Sequence, residues 1–379
     1  MDDPKEIFKY HQAQTFPYPS CLEIQSAKGN YIIDVNGKRY LDFIAGVSAN
    51  TLGHSNPVIT NAINNQLNKY THVMVYGEYI QYPQYRLAQL LSNNLPENLS
   101  TTYFTNSGTE AIEGAVKLAK RVTNRSEIFS CKDSYHGSTQ GALSIIGNEY
   151  HKSNYRPLIP NCNTINYNDI KSLENITQKT AALVLEPIQG GSGFINADTK
   201  FIHKAREKCN ETGTLLIFDE IQTCFGRLGH LFAFEIYNII PDIICIAKGM
   251  GAGMPIGAFI SSWEYMNLLT FEPQLGHITT FGGHPLSCAA SLACLEYLIS
   301  NNIMQEVEEK EALFRKNLQH PSITEIRGKG LMLAIEFKNE KIAKKVVEGS
   351  LEKGLILFYF LFTKTAIRIT PALTISKGE

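Results

Sequence analysis

Four short apolar runs in the middle of the chain are each followed by residues equipped for chemistry. EIFSC (127–131) leads to Tyr135-His136-Gly137, AALVL (181–185) to Glu186, LLIF (215–218) to Asp219-Glu220-Ile221-Gln222, and DIICIA (242–247) to Lys248. Taken singly, a lysine or an aspartate just past such a run is a solvated turn residue. Gathered on one edge, an amine, carboxylates, an imidazole and an aromatic ring have the means for nucleophilic and acid–base work. A further stretch, Thr105-Asn106-Ser107-Gly108-Thr109-Glu110, precedes an amphipathic helix with Ala111, Ile112, Ala115, Val116 and Ala119 on one face. Small residues at Ser107 and Gly108 leave the first helical N–H groups open, an anion cup that suits a phosphate.

What must position these residues is visible in the rhythm of the chain. The four runs, with GAFIS (257–261), are continuously apolar, as strands covered on both faces are. Strand alternating with helix implies an α/β fold, a mostly parallel central sheet with helices on both faces. Ligands in such sheets sit beyond the carboxyl ends of the strands, where all four sets of residues would meet. Residues 30–45 read as a hairpin around Asn36-Gly37. Residues 56–96 read as helical with a break at Pro83. From about residue 290 the pattern changes to a smaller α+β unit that ends in GLMLAIEF, a Lys-rich helix at 340–353, GLILFYFLF and AIRIT. The expected organisation is an N-terminal segment (1–55) belonging to the small domain, a large domain (56–289) and a C-terminal small domain (290–379). Ser376 to Glu379 forms an S-x-x-E box, which should open a helix.

Composition excludes several function classes. Of the 379 residues 44% are apolar and 19% charged, and the formal net charge is -1, which gives no electrostatic reason to bind nucleic acid or an anionic membrane. The start lacks the pattern of a signal peptide, and the longest apolar run, 355–362, is too short to cross a bilayer. Eight cysteines occur without a C-x-x-C pair or zinc spacing, so no metal is expected. Several lie in apolar runs and read as buried, reduced thiols of a cytoplasmic protein, which makes the sequons at Asn98 and Asn175 chance matches. There is no Walker loop, and the glycines at 249, 251, 253 and 257 do not follow the dinucleotide spacing.

Phosphate cup, aromatic, aspartate and lysine in this order resemble a pyridoxal-phosphate enzyme of fold type I. The wording narrows the resemblance to class III, the ornithine, acetylornithine and 4-aminobutyrate aminotransferases. LGHSNP (52–57), NSGTEAIEGAVKLAK (106–120), SYHGST (134–139), EPIQG (186–190), FDEIQTCFGRLG (218–229), AKGMGAGMPIGA (247–258), TTFGGHPLSCAA (279–290), IRGKGLMLAIEF (326–337) and AIRITPALTIS (366–376) run in family order through nearly the whole chain.

The resemblance implies the following roles. Lys248 matches the lysine that carries pyridoxal 5'-phosphate as a Schiff base, and Asp219 the carboxylate that keeps the ring nitrogen protonated. Tyr135 stacks on one ring face and Ile221 packs on the other. Gln222 lies near the phenolic oxygen. Ser107, Gly108 and Thr109 form the phosphate cup, and His136 and Glu186 belong to the cofactor site. Thr280 matches a threonine that reaches the phosphate of a neighbouring subunit, which implies a homodimer. Arg368 matches the arginine that grips a substrate carboxylate. Tyr76 falls where the family places substrate-gating aromatics. The implied reaction moves an amino group from an α- or ω-amino acid, such as ornithine or acetylornithine, to 2-oxoglutarate or pyruvate. Aminomutases, decarboxylases and racemases share the class.

The sequence departs from the common family pattern at four places. Ser138 stands where acetylornithine enzymes have an arginine, which removes a cationic contact. Gly191 stands where ornithine and acetylornithine enzymes have a glutamate able to gate the carboxylate arginine. Ile112 replaces an asparagine in the phosphate helix, and His284 replaces the asparagine of G-G-N-P.

Overall fold

The apolar runs form one seven-stranded sheet in the computed structural model, which describes residues 3–379. Its strand order is Thr101–Thr105, Gly257–Ser261, Ile243–Ile246, Leu215–Asp219, Thr180–Leu185, Glu127–Cys131 and Cys162–Ile165. The central strands are buried along their whole length. Successive residues face opposite layers, as a period of two requires. Ala182, Val184 and Ile217 join the core under helix Gly108–Thr123, and Leu183, Leu185, Leu216 and Phe218 join the core with helix Thr199–Thr212.

Five of the seven strands, from Ile243–Ile246 across to Cys162–Ile165, run parallel. GAFIS is the exception, antiparallel to both of its neighbours. Its connection from Ile246 holds only the short turn Lys248–Gly251 and no crossover helix, so the strand can only return in the opposite direction. The two edge strands escaped the sequence reading. TTYFT and CNTI are too polar to stand out as buried runs, because an edge strand needs less apolar cover.

Pro83 does not break a helix. It sits in the first turn of Tyr82–Ser92, where its missing N–H costs nothing, and residues 68–81 before it are irregular. The helix that begins the C-terminal part, Pro285–Ser300, is apolar on most sides because it packs against both Pro57–Leu67 and Tyr82–Ser92.

The chain ends meet in two smaller sheets. The expected hairpin is present: Tyr31–Asp34 pairs with Arg39–Asp42, and Asp34 Oδ1 accepts the N–H groups of Asn36 and Lys38 at 2.9 Å each. Ile24–Lys28 flanks it on one side and Leu355–Ile356 on the other. The run 355–362 is split between sheets, since Phe358–Tyr359 joins Ala366–Ile369, Met332–Phe337 and Ile323–Lys329. At the last residues the capping box makes both of its reciprocal bonds, Ser376 N–H to the Glu379 carboxylate at 2.9 Å and Glu379 N–H to Ser376 Oγ at 3.2 Å.

Two buried charges tie these parts together. Arg227 is 2% exposed and has no carboxylate partner among the described residues; it donates to the carbonyls of Leu331, at 3.1 Å, and Pro371. Burial pushes its guanidinium down to about 10. Arg227→Ala removes this link and leaves two carbonyls unsatisfied, so urea denaturation should show a loss of about 3 kcal/mol. A loss within about 0.5 kcal/mol would mean that the carbonyls find water instead.

Glu220 is fully buried and accepts N–H groups from Ala233 and Phe234 and the Thr223 hydroxyl. Burial nevertheless pushes its carboxyl from 4.5 up to about 7. The folded state then holds a proton that the unfolded state has lost, so this contribution to stability falls as pH rises from 4.5 to 7. The melting temperature of Glu220→Gln relative to wild type should therefore climb across that window. A flat or falling difference would show that the N–H bonds already hold Glu220 ionised.

Candidate active site

Strands Glu127–Cys131, Thr180–Leu185, Leu215–Asp219 and Ile243–Ile246 share one direction, so the residues after them reach one edge of the sheet. A cavity of about 730 Å³ opens there. It is lined by Ser107, Gly108, Thr109, Tyr135, His136, Glu186, Asp219, Ile221, Gln222, Lys248 and Arg368. Two expected residues lie outside it. Thr280 is exposed, and Tyr76 is half-buried.

At the floor, Asp219 Oδ2 meets His136 Nδ1 at 2.7 Å, and Asp219 Oδ1 accepts the Ile221 N–H at 3.1 Å. Burial disfavours a charged His136, but the Asp219 carboxylate prevails and raises the imidazole above its ordinary value. Its Nε2 is buried without a partner among the described residues. Burial pushes Glu186 up as well; its two oxygens accept N–H groups from Tyr135 at 3.0 Å and Gly190 at 2.7 Å, which tie the two loops that carry them. Lys248 is lowered, chiefly by burial. Among the described residues its amine has one partner, Gln222 Oε1 at 3.4 Å, and its backbone is held at φ 43°, a strained value for a residue with a side chain.

The anion cup is open. Ser107 Oγ accepts the Glu110 N–H at 3.4 Å, and among the described residues the Gly108 and Thr109 N–H groups find no acceptor. Ile221 closes over this turn, with its side chain 2.7 Å from where a Cβ on Gly108 would stand.

Arg368 is buried in its strand. Its Nε donates to the Tyr359 carbonyl at 3.1 Å, and its guanidinium lies 4.8 Å from the centre of the Phe360 ring. Burial lowers it to about 10, and no carboxylate among the described residues pairs with it. The remaining donors are left to the cavity.

The structure also accounts for the departures. A Cβ on Gly191 would stand 2.7 Å from the Phe362 ring, so a glutamate could enter only if that ring moved away. Ser138 is exposed, with its hydroxyl 3.0 Å from the Tyr135 hydroxyl. Ile112 is fully buried in the core under the helix and takes no part in the cavity. His284 caps helix Pro285–Ser300 and stacks on His72.

One wall was missed. Ala45, Gly46, Val47 and Ser48 all have positive φ, a left-handed turn that costs on the order of 1–2 kcal/mol per side-chain-bearing residue. Asp42 holds its start by accepting the N–H groups of Ile44 and Ala45. Val47 lines the cavity, and Ser48 Oγ accepts from Gln222 Nε2 at 3.1 Å. Only Gly46 hints at this turn in the sequence.

Comparison with known proteins agrees with this geometry. The family model of class III aminotransferases matches residues 13–379. The acetylornithine aminotransferase of Methanopyrus kandleri is 35% identical, covering 100% of this chain and 96% of its own. The [LysW]-aminoadipate semialdehyde/glutamate semialdehyde transaminase of Sulfolobus acidocaldarius is 35% identical over 94% of this chain and 91% of its own. The crystal structure of ornithine aminotransferase from Toxoplasma gondii superposes with a TM-score of 0.90 at 29% identity, covering 99% of this chain and 90% of that one. With the motifs in order and the cavity built from them, the chain belongs to the class III aminotransferases and is a pyridoxal-phosphate-dependent transaminase.

Proposed function

We propose that the cavity beneath Lys248 is the transamination site, and that it takes the amino group of an ω-amino acid such as ornithine or acetylornithine and passes it to 2-oxoglutarate or pyruvate. The observation that carries this reading is a buried, nearly unpartnered amine, facing a carboxylate–imidazole pair in a cavity with an open anion cup. The acetylornithine and semialdehyde transaminases among the relatives support the ω-amino donor.

The residues fit pyridoxal phosphate, which when bound supplies the carbonyl that receives the amino group and the ring that spreads charge from the reacting carbon. Gly108 and Thr109 offer two free N–H groups to the phosphate. Tyr135 and Ile221 stand where they can cover the two ring faces. Asp219, held in place by His136 and the Ile221 N–H, presents the carboxylate that would pair with the protonated ring nitrogen. Burial favours the neutral form of the Lys248 amine, which lets it take a proton from the donor carbon and return it. Gln222 orients that amine and is itself oriented by Ser48. Arg368 holds the substrate carboxylate, and without a glutamate at 191 it is available to the donor and the acceptor alike.

We read residues 56–289 as the cofactor-binding domain, with both chain ends forming the smaller one; the shared sheet of Arg39–Asp42 and Leu355–Ile356 supports this. A homodimer with Thr280 reaching the neighbour's phosphate is the proposed assembly. Large apolar residues exposed on two loops, Tyr79 and Ile80 on one and Leu275 and Phe281 on the other, support it. A cytoplasmic location suits the eight free cysteines, six of them buried.

Borohydride treatment in the presence of pyridoxal phosphate should fix the cofactor to the peptide containing Lys248, and Lys248→Ala should abolish turnover. Label on another lysine, or on none, would overturn the assignment. Arg368→Ala should raise KM for both carboxylate substrates about 10- to 100-fold while changing kcat less. An unchanged KM would place the carboxylate elsewhere.

A further inference from the structure

Beside the anion cup runs a chain of side chains that no part of the mechanism uses. Glu113 Oε1 accepts three donors: the Thr139 hydroxyl at 2.6 Å, the Gly141 N–H at 2.9 Å and the Ala142 N–H at 3.1 Å. Thr139 Oγ1 lies 2.7 Å from Thr109 Oγ1. The space is tight, since a Cβ on Gly141 would come within 2.1 Å of Glu113 Oε2.

The proton count of this chain is determined. A carboxylate only accepts, so the single hydroxyl proton of Thr139 is committed to Glu113. The bond between the two threonines must then be donated by Thr109, which commits that proton too. Thr109 therefore has no hydroxyl proton to give a phosphate, and only its backbone N–H, with that of Gly108, faces the cup. What the chain does instead is bind two segments. It joins the first turn of helix Gly108–Thr123 to the loop that carries Tyr135, His136 and Thr139.

We propose that Glu113 is a positioning residue for the phosphorylated cofactor: through Thr139 and Thr109 it sets the distance between the anion cup and the aromatic ring of Tyr135. This rests on the cofactor reading above. A ligand whose phosphate is tethered to its ring must satisfy cup and aromatic together, so it depends on their spacing. Free pyridoxal engages the ring position alone and does not.

The test titrates the full chain, freed of cofactor, with pyridoxal phosphate and with pyridoxal, following absorbance. Glu113→Ala should weaken pyridoxal phosphate about tenfold, the loss expected for a charge-assisted hydrogen bond, and leave pyridoxal unchanged. Glu113→Gln should bind close to wild type, because its amide oxygen can accept the same three donors. Thr109→Val should match Glu113→Ala, and the double variant should be no worse than either alone, since both break one clamp. Equal weakening of both ligands in Glu113→Ala would overturn the proposal, as would additive losses. So would a loss in Thr109→Val without one in Glu113→Ala, which would make the hydroxyl a direct phosphate donor. A wild-type chain that binds no pyridoxal phosphate would instead remove the cofactor reading itself.

Discussion

Burying a carboxylate costs several kcal/mol unless it is paired and hydrogen-bonded, and Asp219 stands at the end of the central strand under that constraint. His136, from the loop after the neighbouring-but-one strand, meets one oxygen, and the Ile221 N–H meets the other. Removing either partner would leave a buried carboxylate oxygen without its hydrogen bond. Burial lowers the Lys248 amine, and the nearby Asp219 carboxylate offsets only part of that effect. The strand order matters because it sets these three groups side by side: two parallel neighbours bring Asp219 and Lys248 to one edge, and the loop from a third strand folds back over them.

Around that centre the structure holds several loops through carboxyl groups that accept backbone N–H groups. Glu186 accepts from Tyr135 and Gly190, Glu113 from Gly141 and Ala142, Glu220 from Ala233 and Phe234, and Asp42 from Ile44 and Ala45. A carboxylate that accepts two N–H groups fixes a loop without needing a second long side chain to be ordered. The strained backbone at Lys248 and at Ala45–Ser48 persists inside this frame. The open donors are reserved for ligands: two N–H groups at the cup and most of the Arg368 guanidinium.

Much of this was legible in the chain. Continuous apolar runs read as strands covered on both sides, and what followed the four parallel ones had to meet at one edge, because parallel strands share a direction. Lys248, Asp219 and the cup needed no coordinates to be brought together. The antiparallel return of GAFIS was not legible, since an apolar run carries no sign of its direction. The edge strands TTYFT and CNTI were hidden by their polarity, and Pro83 reads alike whether it ends a helix or begins one. The wall at Ala45–Ser48 was invisible because three of its four residues are not those that usually adopt positive φ.

The sequence by itself determined the chemistry. An amine, a carboxylate and an anion cup, placed after buried strands and spelled in family order, point to one cofactor, while the reactions that share the class differ only in the residues around it. Only the tertiary structure decided the shape of the space around them. It seated Phe362 against Gly191, left Arg368 without a carboxylate partner among the described residues, placed Tyr76 outside the cavity, and set the Thr109 hydroxyl 2.7 Å from that of Thr139. The reason is physical: strand direction is inherited by whatever comes next in the chain, whereas contacts between residues far apart in sequence depend on how every intervening layer packs.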